Sequence, residues 1–397
     1  MGTVKKADII IVGSGVVGNS TAYYLSKAGL KVIVLEKYNV GYGASTRNGG
    51  INKINGRGLG EIPLCMYGAN ELWPNLSDEL GIDVEYKRTG GFRISLSDEQ
   101  TEYMYRFVEF GKKYGITFEE FDGKKLKERV PEFSEKIVAA LRCDQEFRAN
   151  PMKVTLGFYI KARQLGAEFI CGEEVETINE KCGKAHSVTT VNGNVYEADR
   201  IMIAAGYNSR KILDTIGIDI PLYSYYEEIF VTEKIPRFID ELFIQAKVTY
   251  YGHQAENGSI IFGGASGYDN FPNREWYDDA YQTAKRLPAE ARGLVDIFPF
   301  LKKVKVIRGW GGWMDISPDD SMMIGSIDEV PGLYIACGFS GHGFGMSVPT
   351  GKVMSEVILG DKLGADISNL KYNRFAKHLD MFTGMPRSNL INSVQKK

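Results

Sequence analysis

The segment from residue 7 to residue 36, ADIIIVGSGVVGNSTAYYLSKAGLKVIVLE, constrains the fold more than any other part of the chain. It begins with a short apolar run at residues 9–12, which is typical of a buried parallel strand. A helical stretch follows and is predicted to end at Gly29, and residues 31–35 form a second apolar run. The segment therefore predicts a strand, a helix and a second strand of one parallel sheet.

The glycines between the first strand and the helix follow the spacing G-x-G-x-x-G. Gly13 permits a tight turn, Gly15 lets the backbone approach a pyrophosphate, and Gly18 lets the helix pack closely against the strand. The N-terminus of the helix directs free N–H groups and the positive end of its dipole toward phosphate groups. Glu36 ends the second strand, where an acid accepts hydrogen bonds from a ribose hydroxyl. We therefore predict a dinucleotide site, and the acid argues against NADP.

The bulk properties of the chain exclude several classes of protein. Its 397 residues suffice for two domains or for one large domain with an insertion. The net charge is −2, with acids and bases mixed along the sequence, so no nucleic-acid partner is expected. No apolar run reaches transmembrane length, and the first strand follows MGTVKK directly, so we expect no transmembrane segment, no signal peptide and a cytoplasmic location. The five cysteines form no C-x-x-C pair, so we expect reduced thiols and no metal site.

Three later segments carry a similar signal of small residues. Residues 37–51, KYNVGYGASTRNGGI, are too polar and too rich in glycine for a core strand, and they predict a loop that contacts the cofactor. Residues 199–206 form an apolar strand that ends in Ala-Ala-Gly. Residues 332–338 form another strand, and the turn FSGHGFGMS leads from it into a helix predicted to reach about Leu359. This second unit directs another helix N-terminus toward an electron-rich group.

Residues 221–264 are rich in aromatic side chains and in strand signals, and they predict a sheet that forms one wall of a small-molecule pocket. The sequence has neither a C-x₄-C pair nor a second G-x-G-x-x-G. A flavin disulfide reductase or a pyridine-nucleotide reductase is therefore not expected.

These motifs, in this order, resemble the D-amino-acid-oxidase-like (DAO) superfamily of FAD-dependent amine and amino-acid oxidoreductases. Within it, the chain is most similar to the FAD-carrying β subunits of proline dehydrogenases and sarcosine oxidases, and to the related opine oxidase and cyanide-forming glycine dehydrogenase subunits. The resemblance implies a mixed α/β and α+β fold, in which an antiparallel, β-rich substrate domain is inserted into a Rossmann-like FAD-binding domain of the GR2 type. The FAD-binding domain is expected at 1–85, 150–220 and 320–397, and the substrate domain at 86–149 and 221–319.

The resemblance also implies which residues contact FAD. The ADP half is expected on the first glycine turn and its acid, the flavin approach along the glycine-rich loop, and the adenine side at Val175. The ribityl chain is expected over Ala205 and Gly206, and the flavin N1/C2=O edge at the turn before the last helix, where a helix N-terminus stabilises negative charge. The full predicted set is Gly13, Gly15, Val16, Val17, Gly18, Glu36, Lys37, Ala44, Ser45, Thr46, Arg47, Asn48, Gly49, Gly50, Ile51, Val175, Ala205, Gly206, Gly311, Gly338, Gly341, His342, Gly343, Phe344 and Gly345.

The chain departs from the resembling oxidases in several positions. Monomeric sarcosine oxidases have a carboxylate-binding lysine where this chain has Gly345, and glycine oxidases have an arginine where Met314 falls. The lysine that promotes reaction with oxygen has no counterpart in residues 259–262, and the cysteine that tethers the flavin has none in residues 310–314. We therefore expect non-covalent FAD and a dehydrogenase rather than an efficient oxidase.

The expected reaction oxidises the C–N bond of a small amino acid or secondary amine by hydride transfer to flavin N5. Candidates for holding the substrate carboxylate are Lys53, Arg57 and Arg308, and each of them is equally compatible with a plain surface charge. Tyr251 is expected to line the substrate face, and Glu227 would favour a cationic amine.

His342 completes the predicted catalytic set of Lys53, Tyr251, His342 and Arg308, although a lone histidine in a glycine turn is often structural. Two alternatives stay open. One is an oxidase that produces hydrogen peroxide, and the other is an FAD-carrying subunit that is active only in a hetero-oligomeric complex. In the second case residues 361–397 would bind a partner, and a partner subunit would carry FMN or an iron–sulfur cluster.

Overall fold

The computed structural model describes residues 4–58, 60–247, 250–264 and 287–375. Its strands are β1 (Val4–Lys6), β2 (Ile9–Val12), β3 (Val32–Glu36), β4 (Ile51–Asn52), β5 (Gly91–Ser95), β6 (Phe118–Asp122), β7 (Ala139–Cys143), β8 (Phe147–Arg148), β9 (Glu168–Cys171), β10 (Val175–Lys181), β11 (Lys184–Thr190), β12 (Val195–Glu197), β13 (Ile201–Ile203), β14 (Tyr223–Thr232), β15 (Leu242–Gln245), β16 (Tyr251–Gln254), β17 (Ile260–Gly263), β18 (Val306–Ile316), β19 (Met323–Ser326) and β20 (Leu333–Cys337). Its α-helices are α1 (Val16–Lys27), α2 (Ile62–Tyr67), α3 (Leu76–Leu80), α4 (Asp98–Lys113), α5 (Gly123–Arg129), α6 (Pro151–Gln164), α7 (Ser209–Asp214), α8 (Leu287–Ile297) and α9 (Gly343–Leu359).

A six-stranded sheet in the order β19-β20-β13-β2-β3-β9 forms the first layer. All of its pairings are parallel except that of β19 with β20. Its central strand β2 is buried at every residue, because side chains pack on both faces of the sheet. Helix α1 contacts both α6 and α9 on one face, where apolar residues of the three helices form a shared core. The predicted strand–helix–strand start and the second strand–turn–helix unit, β20 with α9, are both confirmed.

An eight-stranded sheet in the order β18-β14-β17-β16-β15-β5-β7-β6 forms the second layer. Its pairings are antiparallel except that of β15 with β5. The long pair β14 and β18 stays in register from Tyr223 opposite Ile316 to Val231 opposite Arg308. The core against this sheet contains seven buried phenylalanines among its aliphatic residues.

The two layers together confirm the predicted fold class. Every strand of the six-stranded sheet comes from the ranges expected for the FAD-binding domain, and every strand of the eight-stranded sheet comes from those expected for the substrate domain. The exact boundaries stay a prediction. The predicted partner-binding segment 361–397 lies outside the described residues from position 376 onward. Within the described ranges, each helix is too short or too polar to cross a lipid bilayer.

Helix α9 contains a proline whose missing backbone donor is replaced by a tryptophan. Pro349 has no N–H to donate to the carbonyl oxygen of Gly345, one turn earlier in the helix. The indole Nε1 of the fully buried Trp73 donates to that oxygen at 2.9 Å instead. The first turns of α9 therefore keep their hydrogen bonds and stay regular beside the site described next.

Candidate functional site

The first glycine turn is a cradle that leaves no space for side chains. Gly13 has a φ of +107°, and a Cβ there would lie 2.4 Å from the carbonyl oxygen of Ala204. A Cβ on Gly18 would lie 2.1 Å from the carbonyl oxygen of Gly13, so only glycine lets α1 pack against the turn. Ser45 closes the cradle, because its Oγ accepts a hydrogen bond of 2.9 Å from the N–H of Val16 at the start of α1. The turn therefore offers backbone, rather than side chains, to a ligand.

Glu36 ends β3 at the rim of this turn. Its carboxylate accepts hydrogen bonds of 2.8 Å from the N–H groups of Ser14 and Tyr38. Burial raises the pKa of Glu36, and these backbone donors oppose that effect. The carboxylate is thereby held in a fixed position at the edge of the cavity.

A long cavity, here named the dinucleotide cavity, runs from Glu36 past the glycine turn to the start of α9. The predicted cofactor residues that line it are Gly13, Gly15, Val16, Val17, Glu36, Lys37, Ala44, Ser45, Arg47, Asn48, Val175, Ala205, Gly206, Gly341, Gly343 and Phe344. Residues from four separate parts of the chain thus converge on one site, as a cofactor of dinucleotide length requires.

The glycine-rich loop is fastened to the second layer. Arg47 donates to the carbonyl oxygen of Gly311 at 3.3 Å, and Trp310 Nε1 donates to the carbonyl oxygen of Arg47 at 3.0 Å. Asn48 Nδ2 donates to the carbonyl oxygen of Ser45 at 2.9 Å. Thr46 and Gly311, although predicted to contact the cofactor, line neither cavity: the hydroxyl of Thr46 donates to the carbonyl oxygen of Gly41 at 2.7 Å, and the carbonyl oxygen of Gly311 is bound by Arg47.

The turn before α9 is organised by a buried acid. Asp315 Oδ2 accepts from the N–H of Gly338 at 2.6 Å, and the carbonyl oxygen of Asp315 accepts from the N–H of Ser340 at 2.8 Å. Burial raises the pKa of Asp315 to about 6, against the effect of its backbone donors. Gly338 therefore supports the turn from outside the cavity, and Gly341, with a φ of +79°, faces the ligand space.

A second cavity, here named the charged cavity, opens from the first. The two share the wall residues Asn48, Glu227, Tyr251, Met314, Gly341 and Phe344. Gly49, Gly50, Ile51 and His342, which were predicted to contact the cofactor, line only the charged cavity. Its remaining charged lining residues are Lys53, Arg57, Arg93, Lys247 and Asp320.

Lys53 is half-buried in the charged cavity. Burial lowers the pKa of Lys53 to about 8, and the positive charges of Arg93 and Arg57 add to the effect. Glu227 and Asp320 act in the opposite direction. The ammonium group is therefore still protonated at neutral pH, and an anion would raise its pKa.

Arg57 is engaged by the protein itself. Its Nη2 donates to Asn52 Oδ1 at 2.7 Å, its Nε donates to the carbonyl oxygen of Lys53 at 2.8 Å, and its Nη1 lies 3.8 Å from Glu61 Oε2. The guanidinium therefore stiffens the loop that carries Lys53, and it has less capacity than Lys53 to bind a ligand.

His342 pairs with the fully buried Glu61, whose Oε1 lies 3.0 Å from His342 Nε2. Burial alone would raise the pKa of Glu61, but His342 and Arg57 hold it below its ordinary value. Burial lowers the pKa of His342. The carboxylate of Glu61 is therefore ionised at neutral pH, and it accepts a hydrogen bond from Nε2–H of His342.

Besides Thr46, Gly311 and Gly338, the predicted residues Arg308 and Gly345 also line neither cavity. Arg308 is exposed on β18, its Cζ lies 5.7 Å from the ring of Trp310, and it lines neither cavity. We correct the expectation that it holds a carboxylate, because its strand has left the site by that residue. Gly345 has a structural role, because a Cβ at this position would lie 2.1 Å from Asn52 Oδ1 and only glycine leaves room for that side chain.

Sequence reasoning missed four polar residues at the site: Arg93, Glu61, Glu146 and Asp315. Glu146 is buried, and its Oε1 accepts from the N–H groups of Ile54 and Asn55 at 2.8 and 2.9 Å, so it fixes the loop after Lys53. For Arg93 the available signal was a single charged residue within the strand sequence G-F-R-I-S of β5, which indicates burial but not the cavity that the side chain faces.

Comparisons with known proteins agree with this geometry. The model of the DAO family, described as FAD dependent oxidoreductase, matches residues 8–357. The beta subunit of sarcosine oxidase from Rhodobacter capsulatus is 26% identical over 363 residues, which cover 89% of this chain and 85% of that protein. An opine oxidase subunit from Rhizobium meliloti is 24% identical, with 93% and 98% covered. The crystal structure of L-proline dehydrogenase from P. horikoshii has a TM-score of 0.85 and 28% identity, with 94% and 98% covered.

Proposed function

This chain belongs to the DAO family of FAD-dependent oxidoreductases, and we propose that it oxidises the C–N bond of a small amino acid or secondary amine. The observation that carries the proposal is the wall shared by the dinucleotide cavity and the charged cavity. A ligand in the charged cavity would meet the end of the first cavity at Tyr251, Gly341 and Phe344. Bound FAD supplies the hydride acceptor, and the protein supplies position and charge.

The dinucleotide cavity suits FAD. The cradle at Gly13 and Gly18 excludes any Cβ, and the N-terminus of α1 adjoins it. At the other end, α9 begins at Gly343, so its free N–H groups face the same cavity. These two helix ends would hold the pyrophosphate and the polar edge of the flavin.

The charged cavity suits an amino acid. Lys53 would bind the carboxylate, because it is protonated at neutral pH and points into the cavity from a loop that Glu146 and Arg57 hold rigid. Glu227, on the shared wall, would favour the amino group. Tyr251 would pack on the substrate, since it lines both cavities and its ring lies against Gly49. The α-carbon would then lie between the two cavities.

His342 would act as a positioning residue. Its imidazole donates to Glu61, which also accepts from the N–H of Met322 at 3.1 Å. This network ties the turn at Gly341 to the loop that carries Arg57, so that the cofactor wall and the substrate wall keep one relative position.

The relatives support the amine class and suggest a complex. The sarcosine oxidase and opine oxidase relatives are named for the oxidation of amines and as subunits of larger enzymes. We propose that this chain likewise works with a partner subunit that accepts electrons, carrying FMN or an iron–sulfur cluster, and that oxygen is a poor acceptor. We also propose that the FAD is non-covalent, because none of the five cysteines, all of them in the described ranges, lines either cavity.

The test is anaerobic mixing of the FAD-loaded chain with sarcosine, L- and D-proline, glycine, D-amino acids and opines, with the visible flavin band as readout. Bleaching by one of them, followed by slow recovery in air and fast recovery with an artificial dye, is the expected result. Fast recovery in air, with formation of hydrogen peroxide, would mean that the protein is an oxidase rather than a dehydrogenase. Bound flavin that no amine bleaches, with or without a co-expressed partner, would refute the proposed reaction.

A further inference from the structure

Arg93 is a buried arginine that faces the charged cavity from the other layer of the protein. It lies on β5, whose five residues are all buried, and only 6% of its surface is exposed. It lines the charged cavity together with Lys53. The proposed oxidation of a monocarboxylic amino acid makes no use of this second cation.

The surroundings of Arg93 hold the guanidinium in place without neutralising it. Nη1 donates to the carbonyl oxygen of Asn55 at 2.5 Å, and a Cβ on Gly56 would lie 2.1 Å from the same nitrogen. The rings of Tyr103 and Phe107 lie 5.8 and 5.7 Å from Cζ. Nε is buried and has no hydrogen-bond partner among the residues that the structure describes.

No carboxylate in the described ranges forms an ion pair with Arg93. The charge of Glu146 acts on Arg93, but Glu146 Oε1 accepts from two backbone N–H groups, and burial raises the pKa of Glu146 to about 7. Glu227 and Asp320 line the same cavity, and Lys247 lies at its exposed side, paired with Glu99. A guanidinium is always charged, and a buried charge without a counterion is costly.

Lys53 and Arg93 also repel each other. The charge of Arg93 is one of the causes that lower the pKa of Lys53. A ligand with two negative charges can pair with each of the two cations, whereas a single carboxylate must be shared between them. A single carboxylate on Lys53 leaves Nε of Arg93 without a partner.

We propose that Arg93 recognises a second acidic group, so that the substrate is an amine carrying two carboxylates, one bound by Lys53 and one by Arg93. The planar guanidinium binds a carboxylate through two parallel hydrogen bonds, which gives directional selectivity as well as charge. This inference rests on the proposed function, and it narrows the substrate from small amines in general to N-carboxyalkyl or acidic amino acids.

The test measures binding of unreactive ligands to the FAD-loaded chain by calorimetry. Diglycolate and its homologue with one more carbon are dicarboxylic ethers, in which oxygen replaces the amine, and methoxyacetate is the matched monocarboxylate. The expected result is that one of the dicarboxylates binds about 10- to 100-fold more tightly than methoxyacetate. Arg93→Gln should remove most of that advantage and leave the methoxyacetate affinity within about threefold. Arg106→Gln, an exposed arginine on α4, is the matched control and should change neither.

Equal affinity of the wild-type chain for the dicarboxylates and methoxyacetate would overturn the inference. So would an Arg93→Gln variant that weakens both ligand classes equally, because Arg93 would then share one carboxylate with Lys53. If Arg93→Gln does not fold, the inference is tested by the preference of the wild-type chain for dicarboxylates over methoxyacetate and by the same preference in the charge-conserving variant Arg93→Lys. Arg93→Lys should keep part of the preference, and an unchanged preference would overturn the inference. Bleaching of the flavin by monocarboxylic amines alone would leave the proposed function standing and refute the second acidic group.

Discussion

The dinucleotide cavity and the charged cavity share a wall but are built in different ways. The first has glycine turns at both ends, at Gly13 and Gly341, whose shape and N–H groups meet the ligand. The second carries several long charged side chains, such as Lys53 and Arg93, that come from separate segments of the chain. The first cavity is therefore sensitive to added volume, and the second is sensitive to changes of charge.

The largest effect is expected from added volume in the cradle. Gly13→Ala places a Cβ 2.4 Å from the carbonyl oxygen of Ala204 at a φ of +107°, so we expect a chain that retains little FAD and is destabilised by about 2–4 kcal/mol. The flavin-to-protein ratio after gel filtration and the thermal unfolding temperature measure this. Gly166→Ala is the control, because Gly166 has a similar φ of +98° but a Cβ added there would meet no described atom within 4 Å beyond its chain neighbours. It should lose stability but keep its flavin, and equal flavin loss would show that volume is not the cause.

The next effect is expected from removing a charge in the second cavity. Lys53→Met should weaken the binding of a carboxylate ligand by about 10- to 100-fold while the bound FAD is unchanged. In the wild-type chain the affinity should fall as the pH rises above about 8, where Lys53 loses its proton, and the variant should lack this pH dependence. Calorimetric titration of both proteins between about pH 6.5 and 9.5 measures the loss of affinity and its pH dependence. Lys112→Met, an exposed lysine paired with Glu109, is the control.

If Lys53→Met loses FAD but keeps its affinity for the carboxylate ligand, Lys53 serves cofactor binding, and the proposed division of roles between the two cavities is wrong. If it retains the pH dependence, another group is responsible for it.

The smallest effect is expected at Glu146, beneath the charged cavity. Its pKa is raised by burial to about 7, so the folded state binds more protons than the unfolded state between about pH 4.5 and 7, and stability falls as the pH rises through this window. Glu146→Gln keeps an oxygen for the N–H groups of Ile54 and Asn55. It should remove this slope and stabilise the protein at pH 8 by on the order of 1 kcal/mol. Denaturant unfolding at several pH values measures the slope.

The exposed Glu119 provides the comparison, since Glu119→Gln should leave the slope of the wild type intact. A slope that persists in Glu146→Gln would mean that Glu146 is ionised throughout and that its charge is compensated by Arg93 and Lys53.

The same contrast explains what could be predicted from the sequence. The spacing of Gly13, Gly15 and Gly18 is typical of a phosphate-binding turn, and these residues are close together in the sequence. The strands, the turn and α1 could therefore be predicted from this segment alone. The unit of β20 and α9 was predictable for the same reason, and both are confirmed. The family resemblance is confirmed as well. The contacts of individual residues with FAD stay predictions.

The charged cavity depends on pairings between distant segments. Arg93 reaches it because β5 pairs with β15 and because Gly56 lies against its guanidinium, and neither contact leaves a local pattern in the sequence. Lys53 could be named because it lies just after the glycine-rich loop, whereas Arg308 was misplaced because residues 306–308 of β18 are exposed. A charge that is near the site in the sequence was predictable, and a charge brought there by sheet topology was not.

The bond from Trp73 to the carbonyl oxygen of Gly345 restricts the order in which this protein can evolve. Loss of the indole alone would leave a buried carbonyl without a donor beside the cofactor wall, because Pro349 has no N–H to replace it. If position 349 first changes to alanine, the helix regains its own donor, and the loss of Trp73 then costs only packing. The two positions are therefore energetically coupled, and the tryptophan can be lost at low cost only after the proline has been replaced.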